Sequence, residues 1–468
     1  HYYFFILILF FSILMFIKYK PNEDFGYYHL PYITNLIYEK VIFGLSNLQL
    51  NQGWNSIWLN IKSTYHVAYL NYNGIFFSNI VFYLFTSLFL YELNMKSIKI
   101  NNSIFIFSFT LFFLIFLNLK FSRINTYGLD VPSNYILIYV CILFFLYIGS
   151  DSSINKKFNI FEYLVLFSIF SISFRIINIL ILVLPLVILL KDKIPLTKIF
   201  KSKIFLFGVF FFVLFLSQQV IYTGCILIPN DITCISNLPW FDPNIIENFN
   251  TDTSKVNKSF QSYTGNLSRE EYLANFNWVN NWFVRHKIEL FEHIGTFVLP
   301  IILYIFLLKI GKQSDKFSYN FFNNYVLIFV LLSLLIWFFK APVIRFGTIY
   351  IQSLILILTL TFLKGQVINL PKKNIVFLLI AVSFFINFIK NTNRILNDSN
   401  ITQLFPIIPE VKYYTENYND IKLSSPIANP DIAKSELCWN VQALCKMGGF
   451  NDLEILTVNN YILIKKKN

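Results

Sequence analysis

The stretch PNEDFGYYHLPYI, residues 21–33, places two adjacent carboxylates, Glu23 and Asp24, directly after an apolar run. Cations interrupt the same greasy chain at a few other points. Lys120, Arg123 and Asp130 fall in KFSRINTYGLDVPSNY, Arg175 in FRIINILIL, and Lys340 and Arg345 in WFFKAPVIRFG. A carboxylate within reach of an acceptor hydroxyl is a general base. Guanidinium and ammonium groups hold the charge of a phosphate leaving group. One base plus nearby cations is a sufficient kit for inverting glycosyl transfer from a sugar phosphate, because the leaving group needs no protonating acid. The bland alternative is that the acids are solvated loop and the cations snorkel to headgroups. His29 and His66 fit packing or hydrogen bonding better than catalysis, and His29 is kept as a substrate-binding candidate.

These residues must be positioned by a membrane protein. The 468 residues are 56% hydrophobic and only 13% charged, with 55 Phe. One soluble core could not hide that much apolar surface. Part of the Phe, Ile, Asn and Lys excess also fits an AT-rich coding sequence. The net charge of +13 does not point to nucleic acid, because the lysines gather in short loops between apolar runs. That is the positive-inside pattern. The hydropathy predicts about eleven spans, near 2–19, 74–93, 103–119, 133–149, 161–173, 176–190, 204–221, 288–308, 321–339, 347–363 and 374–390. FFILILFFSILMFI reads as a retained first span rather than a cleavable signal. The chain begins with His1 rather than Met, so an incomplete N-terminus is expected.

The basic loops 94–102, 150–160, 191–203, 309–320 and 364–373 are assigned to one side of the membrane. Residues 161–190 would make a single helix about 45 Å long against a hydrocarbon core of about 30 Å. Basic loops flank that run on both sides and want the same face. It therefore breaks into two short spans near Ser171, Ser173 and Arg175, with Arg175 at the outer turn. The expected organisation is an all-α transmembrane domain over 1–390 and a small outer α/β domain over 391–468. The outer face receives the first loop 20–73, the short loop 120–132, the long loop 222–287 and the C-terminal tail. Lys18 and Lys20 fall on that side against the charge rule. So do the cations of the short outer loops, which marks them as functional candidates.

In the first loop, HLPYITNLIYEK carries Leu30, Ile33, Leu36 and Ile37 on one helical face, and SIWLNIKSTYHVAYL is again apolar and aromatic. Both are expected to lie along the membrane surface. GLSNLQLNQGW between them reads as a polar turn. Such a roof at the water–lipid boundary suits a lipid-linked sugar, whose polyprenyl tail stays in the bilayer. Four of the five cysteines, Cys225, Cys234, Cys438 and Cys445, fall on the outer side as two close pairs. Disulfides within each pair fit an oxidising compartment, with isolated thiols as the alternative. Neither pair has the spacing or the nearby His of a zinc site. LEILTVNNYILIKKK predicts strands and CWNVQALC a stapled turn.

Acids after the first span, two helices in the first outer loop and a short hairpin with a cation at its break resemble the GT-C superfamily of integral-membrane glycosyltransferases. That group includes protein O-mannosyltransferases and lipid A aminoarabinose transferases. YHLPYI, GLSNLQLNQGWNS, GLDVP, TGCILIPNDITCISNLPW, WFFKAPVIRFG and CWNVQALC run in order along nearly the whole chain. Together they look like a bacterial family of multi-pass proteins. The resemblance implies a polyprenyl-phosphate-sugar donor, a glycan or lipid acceptor, and a reaction at the periplasmic face of the inner membrane. It maps the base onto Asp24 with Glu23 beside it, and a further acid onto Asp130. The order Glu-Asp, where mannosyltransferases of this class read Asp-Glu, leaves both acids open as the base. Arg175 takes the place where many relatives carry a lysine, which keeps the charge and changes the hydrogen-bond geometry. The first outer loop has no DxD motif, so the resemblance implies no obligatory metal and no cofactor beyond the donor. The competing readings are a lipid-linked glycan flippase or transporter, an O-antigen-type polymerase or ligase, and a non-catalytic protein of the same fold. A transporter would want charges at mid-membrane and repeated halves, and the sequence shows no internal repeat.

Overall fold

A computed structural model of the chain describes residues 2–16, 24–53, 56–70, 72–97, 104–120, 128–149, 154–308, 315–316, 322–362, 367–368, 373–397, 408–418, 421–430, 434–459 and 461–467. The apolar runs become helices, because in a bilayer each backbone N–H and C=O must be satisfied within its own segment. The chain opens with α1 (Tyr2–Phe16), a π-helical turn (Phe25–His29), α2 (Leu30–Tyr38), β1 (Ile42–Phe43), α3 (Leu45–Leu48) and α4 (Ile57–Thr64). The helices α5 (Phe77–Ser97), α6 (Ile104–Lys120), α7 (Asp130–Gly149) and α8 (Ile154–Phe174) follow. At Arg175 the backbone turns extended, and the chain continues as a 3₁₀ segment (Ile176–Leu182) and α9 (Val183–Lys191). Next come α10 (Leu196–Phe200), α11 (Lys203–Thr223), α12 (Pro243–Asn257), α13 (Arg269–Leu273) and α14 (Val279–Leu308). Then β2 (Asp315–Lys316), α15 (Phe322–Lys340), α16 (Ile344–Phe362), β3 (Val367–Ile368) and α17 (Lys373–Leu396) complete the helical part. The tail is β4 (Tyr413–Tyr418), β5 (Ile421–Pro426), β6 (Leu444–Cys445), β7 (Leu453–Val458) and β8 (Tyr461–Lys466).

Among the described residues, seven helices are long and apolar enough to cross a membrane: α5, α7, α8, α11, α14, α16 and α17. The apolar segments in α1, α6, α15 and Ile176–Lys191 are shorter. α6 is surrounded, with Phe107, Phe109, Leu111 and Phe113 fully buried. Other helices leave large apolar side chains open, among them Phe207, Phe210, Val213 and Leu214 on α11. Apolar surface of this extent needs lipid against it. The protein is a multi-pass α-helical membrane protein. Polar side chains clamp its helices from within. Tyr83 donates to Asn118 at 2.5 Å, Asn118 to Ser383 at 3.1 Å, and Asn94 to the Phe107 carbonyl at 2.8 Å. In an apolar bundle such bonds select the helix neighbours.

The bundle has two distinct ends. At the basic end β2 pairs with β3, and Tyr147 bonds Asp192 at 2.6 Å, which brings loops assigned to one side together. At the other end the first loop, the segment after α11 and the tail fold into one head. β8 pairs in parallel with β1 and antiparallel with β7. Asn47 Nδ2 donates to the Trp240 carbonyl at 2.8 Å and to the Ile464 carbonyl at 2.9 Å. Ser46 Oγ donates to the Tyr222 carbonyl at 2.9 Å. Gly44 has φ of 75°, and a Cβ there would meet the Ile464 carbonyl oxygen, so only glycine fits. Gly26 lies flat against the Trp439 indole, whose N–H of the main chain donates to the Gly26 carbonyl at 2.9 Å. Phe25, Ile33, Leu45, Trp439, Leu444, Ile462 and Ile464 share one core.

Four sequence expectations are corrected here. α2 does not lie on a lipid surface: Leu30, Pro31, Tyr32, Ile33, Thr34 and Asn35 are all buried. Its polar residues are satisfied internally, Tyr32 by Asn60 at 2.9 Å and Asn35 by Gln52 at 3.2 Å. Residues 44–53, expected as a simple polar turn, form α3 and a 3₁₀ turn and are largely buried, with Ser46 Oγ and Asn47 Nδ2 donating to carbonyls of other segments. Beyond α17 the described tail residues form strands and turns, and one of their two sheets includes β1, so the tail is built into the head. α14 also begins at Val279, well before the predicted 288. Glu23, Arg123, Lys18 and Lys20 lie outside the described residues.

Replacing Asn47 with Leu strands the buried Ile464 carbonyl and the part-buried Trp240 carbonyl. An unmet buried partner costs about 1–3 kcal/mol. Asn47→Leu is therefore expected to lower the midpoint of thermal unfolding in detergent and to expose the tail to limited proteolysis, and an unchanged midpoint would show that the head is held elsewhere.

Candidate functional site

Two aromatic clamps set the turn WFFKAPVIR. The Trp337 indole N–H donates to the Val343 carbonyl at 2.7 Å, and that of Trp282 to the Pro342 carbonyl at 2.6 Å. The turn then opens into α16 with Arg345 in its first turn. Across from it, α7 starts at Asp130, whose carboxylate faces the positive end of the helix dipole. The break at Arg175 delivers a second guanidinium. Asp130 ion-pairs with Arg175 and, through its other oxygen, with Arg345 Nε at 2.7 Å. The Phe346 ring backs both guanidinium groups, with centroid distances of 4.0 Å to Arg175 and 5.6 Å to Arg345. The Arg175 side chain is 12% exposed and that of Arg345 49%, so the pair has one fixed and one accessible member.

A hydrogen-bonded net directly behind the triad fixes it. Asn178 Nδ2 donates to Ser133 Oγ at 3.0 Å and Ser171 Oγ at 3.1 Å, and Tyr350 donates to Asn178 Oδ1 at 3.0 Å. Ser133 is on α7, Ser171 on α8 and Tyr350 on α16, so the elements that bear the charged residues are locked to one another just below them.

The first loop closes over this cluster. Its π-helical turn bonds the Leu30 N–H to the Phe25 carbonyl, and such turns occur often at functional sites. Tyr28 on the turn lies in electrostatic range of Arg175. His29 is buried, and its pKa is held well below the usual histidine value by burial and then by the charges of Lys62, Arg345 and Arg175. It is therefore neutral at pH 7. Lys62, fully buried on α4, has its pKa lowered to about 7 by burial. Asp24 is half-buried at the N-terminal edge of the same π turn.

The structure thus brings Arg175, Arg345, Asp130 and His29 together and sets Asp24 at the start of the turn that carries His29. Asp130 is the shared counter-ion of the arginines. Lys340 is exposed at the end of α15, where its charge acts on Lys258 of the long loop. Lys120 pairs with Glu292 at 2.8 Å. Cys225 is disulfide-bonded to Cys234 and Cys438 to Cys445. The sequence reading missed Lys62 and Asn178. Each had a signal, as the one charged residue of SIWLNIKSTYHVAYL at neutral pH and the one polar residue of IINILIL.

A family model matches residues 1–352, so the chain belongs to the family described as Domain of unknown function (DUF8201). The matched region contains every residue of the charged cluster and ends before the tail sheet. No curated protein and no solved structure matches the chain.

The buried member and the open member of the cluster are expected to differ on mutation. Asp130→Asn leaves two guanidinium groups facing each other without their shared carboxylate. It is expected to cost about 3 kcal/mol, with much of the loss recovered by adding Arg175→Met. Arg345→Ala is expected to cost under about 1 kcal/mol. Thermal unfolding in nanodiscs reads both, and equal losses would contradict the assignment. Lys62 gives a pH signature. Its folded pKa of about 7 is below the ordinary 10.5, so the unfolded chain binds more protons across that window. Stability should rise from about pH 7 towards pH 10.5, and Lys62→Met should flatten the rise; a slope that persists in that variant would assign it to another group.

Proposed function

We propose that this chain is a membrane glycosyltransferase that moves a sugar from a polyprenyl-phosphate donor to a glycan or lipid acceptor at the head end, on the periplasmic face of a bacterial inner membrane. The observation that carries the reading is the Arg175–Asp130–Arg345 cluster, roofed by the π turn and lying at the mouth of an apolar bundle. In this reading the shorter apolar helices complete eleven crossings, and the N-terminus lies on the basic side.

The polyprenyl tail would run along the exposed apolar helices while its phosphate enters the cluster. Asp130 keeps Arg175 fixed, and the more exposed Arg345 turns its free N–H groups to the phosphate oxygens. Lys62, which titrates near neutrality, takes up a proton more readily once a phosphate lies nearby. The acceptor oxygen attacks the anomeric carbon, and Asp24 accepts its proton. The bond from that carbon to the phosphate oxygen breaks with inversion, and polyprenyl phosphate leaves with its charge held by the cations. Neutral His29 contributes a hydrogen bond rather than a charge.

The test is sugar transfer by the full chain in nanodiscs, supplied with polyprenyl-phosphate sugars and a lipid-linked glycan acceptor. Asp24→Asn is expected to lower turnover by about 10²–10⁴-fold with insertion and unfolding midpoint unchanged. Arg345→Ala is expected to raise the KM for the donor. Transfer by Asp24→Asn at the normal rate would remove Asp24 from the chemistry.

A further inference from the structure

Two lysines meet on the head side, apart from the arginine cluster. Lys258 follows α12 and Lys340 ends α15, and the two lie in electrostatic range of each other. Lys258 is half-buried over the Trp278 indole, with its ammonium 5.0 Å from the ring centroid, and Lys340 is exposed. Among the described residues neither ammonium has a carboxylate partner, whereas Lys120 and both arginines of the cluster do. Each lysine alone suits the negative end of its own helix. Helix ends do not account for two like charges brought together, because the pair repels. An anion between them would remove that repulsion.

The floor under the lysines is fixed. The Trp278 ring packs on Phe338 at 5.1 Å and on Trp282 at 6.2 Å, within one aromatic core that includes Trp337. Below the lysines the surface turns apolar. Leu331, Leu335 and Phe339 form an exposed stripe on α15, and Val284, Ile288 and Phe291 form one on α14. The exposed rings of Phe339 and Phe276 meet at 6.0 Å beside Lys340. In a membrane protein such stripes face acyl chains. The lysines at their upper end therefore stand at the level of the lipid headgroups, where aromatic rings also gather. A ligand that is anionic at one end and apolar at the other uses both parts of this surface. A soluble anion leaves the stripes unused, and a zwitterionic lipid brings a third ammonium to two that already repel.

We propose that Lys258 and Lys340 hold the phosphate of an anionic phospholipid from the leaflet on the head side, with its chains along the apolar stripes of α14 and α15. The proposal rests on the chain being a membrane protein and not on the glycosyltransferase reading. The site adjoins the turn that delivers Arg345, since Trp337 and Trp282 of the same aromatic core clamp that turn.

The experiment reads the lipid next to α14 by fluorescence quenching. The full chain carries Ile288→Cys labelled with bimane; Ile288 is exposed, and the free thiol of Cys141 is buried. It is placed in nanodiscs of dioleoyl phosphatidylcholine with graded amounts of chain-brominated phosphatidylglycerol or chain-brominated phosphatidylcholine. Phosphatidylglycerol should quench at about tenfold lower mole fraction. Lys258→Gln with Lys340→Gln should bring the two curves together, and Lys258→Arg with Lys340→Arg should keep them apart. Lys193→Gln with Lys201→Gln, which removes two exposed charges at the basic end, should leave the preference unchanged, as should Arg345→Ala. Coincident curves for the labelled chain, a preference that survives the paired glutamines, or an equal loss in the basic-end variant would each overturn the site. Soluble glycerol phosphate should not restore the fluorescence; if it does, the lysines bind a free phosphate and the lipid assignment falls.

Discussion

Two guanidinium groups held at the end of an apolar bundle require a shared carboxylate, and Asp130 supplies it. Ionised groups leaving water lose several kcal/mol of solvation each. That loss is offset only where geometry and secondary hydrogen bonds are good. Here Asp130 spends one oxygen on each arginine, Phe346 covers both cations, and the Ser133–Asn178–Ser171–Tyr350 net ties together the segments that bear them. The break at Arg175 and the clamped turn before Arg345 follow from the same need. Each ends a helix where a cation must emerge at the rim rather than within the apolar layer.

The head makes that rim into an enclosed site. A first loop left in solvent would not exclude water from the arginines. Asn47 joins it to the Trp240 segment and to β8, and Gly26 lets Trp439 press on the π turn. The tail sheet therefore supports the roof from behind. It lies beyond the residues matched by the family, whereas the cluster lies within them. The part of the chain outside that match thus bears on the site by contact with the π turn, not by contributing to the arginine pair.

The sequence revealed the charges better than their surroundings. Arg175, Arg345 and Asp130 stand out because they break apolar runs or the loop-charge rule, and the helices that carry them follow from hydropathy. GLSNLQLNQGW reads as a polar turn, since local polarity does not reveal that Asn47 meets carbonyls hundreds of positions away. Lys62 was hidden for a related reason: one lysine on an amphipathic segment looks like its wet face, and only the packing of α4 under the head buries it. The start of α14 was placed late because VNNWFVRHK is too polar for a span although it continues the helix. The parallel pairing of β1 with β8 joins two residues near the start to the end of the chain, which no local pattern signals.

The central claim is that the arginine pair receives a lipid-borne phosphate under the first-loop roof. A cryo-electron microscopy structure of the full chain in nanodiscs with added polyprenyl phosphate examines it directly. The account predicts phosphate density within hydrogen-bond distance of the Arg345 guanidinium, beside the π turn and with its tail along the exposed apolar helices. Phosphate bound at the basic end, or an Arg345 still turned to Asp130 with the lipid head elsewhere, would contradict it.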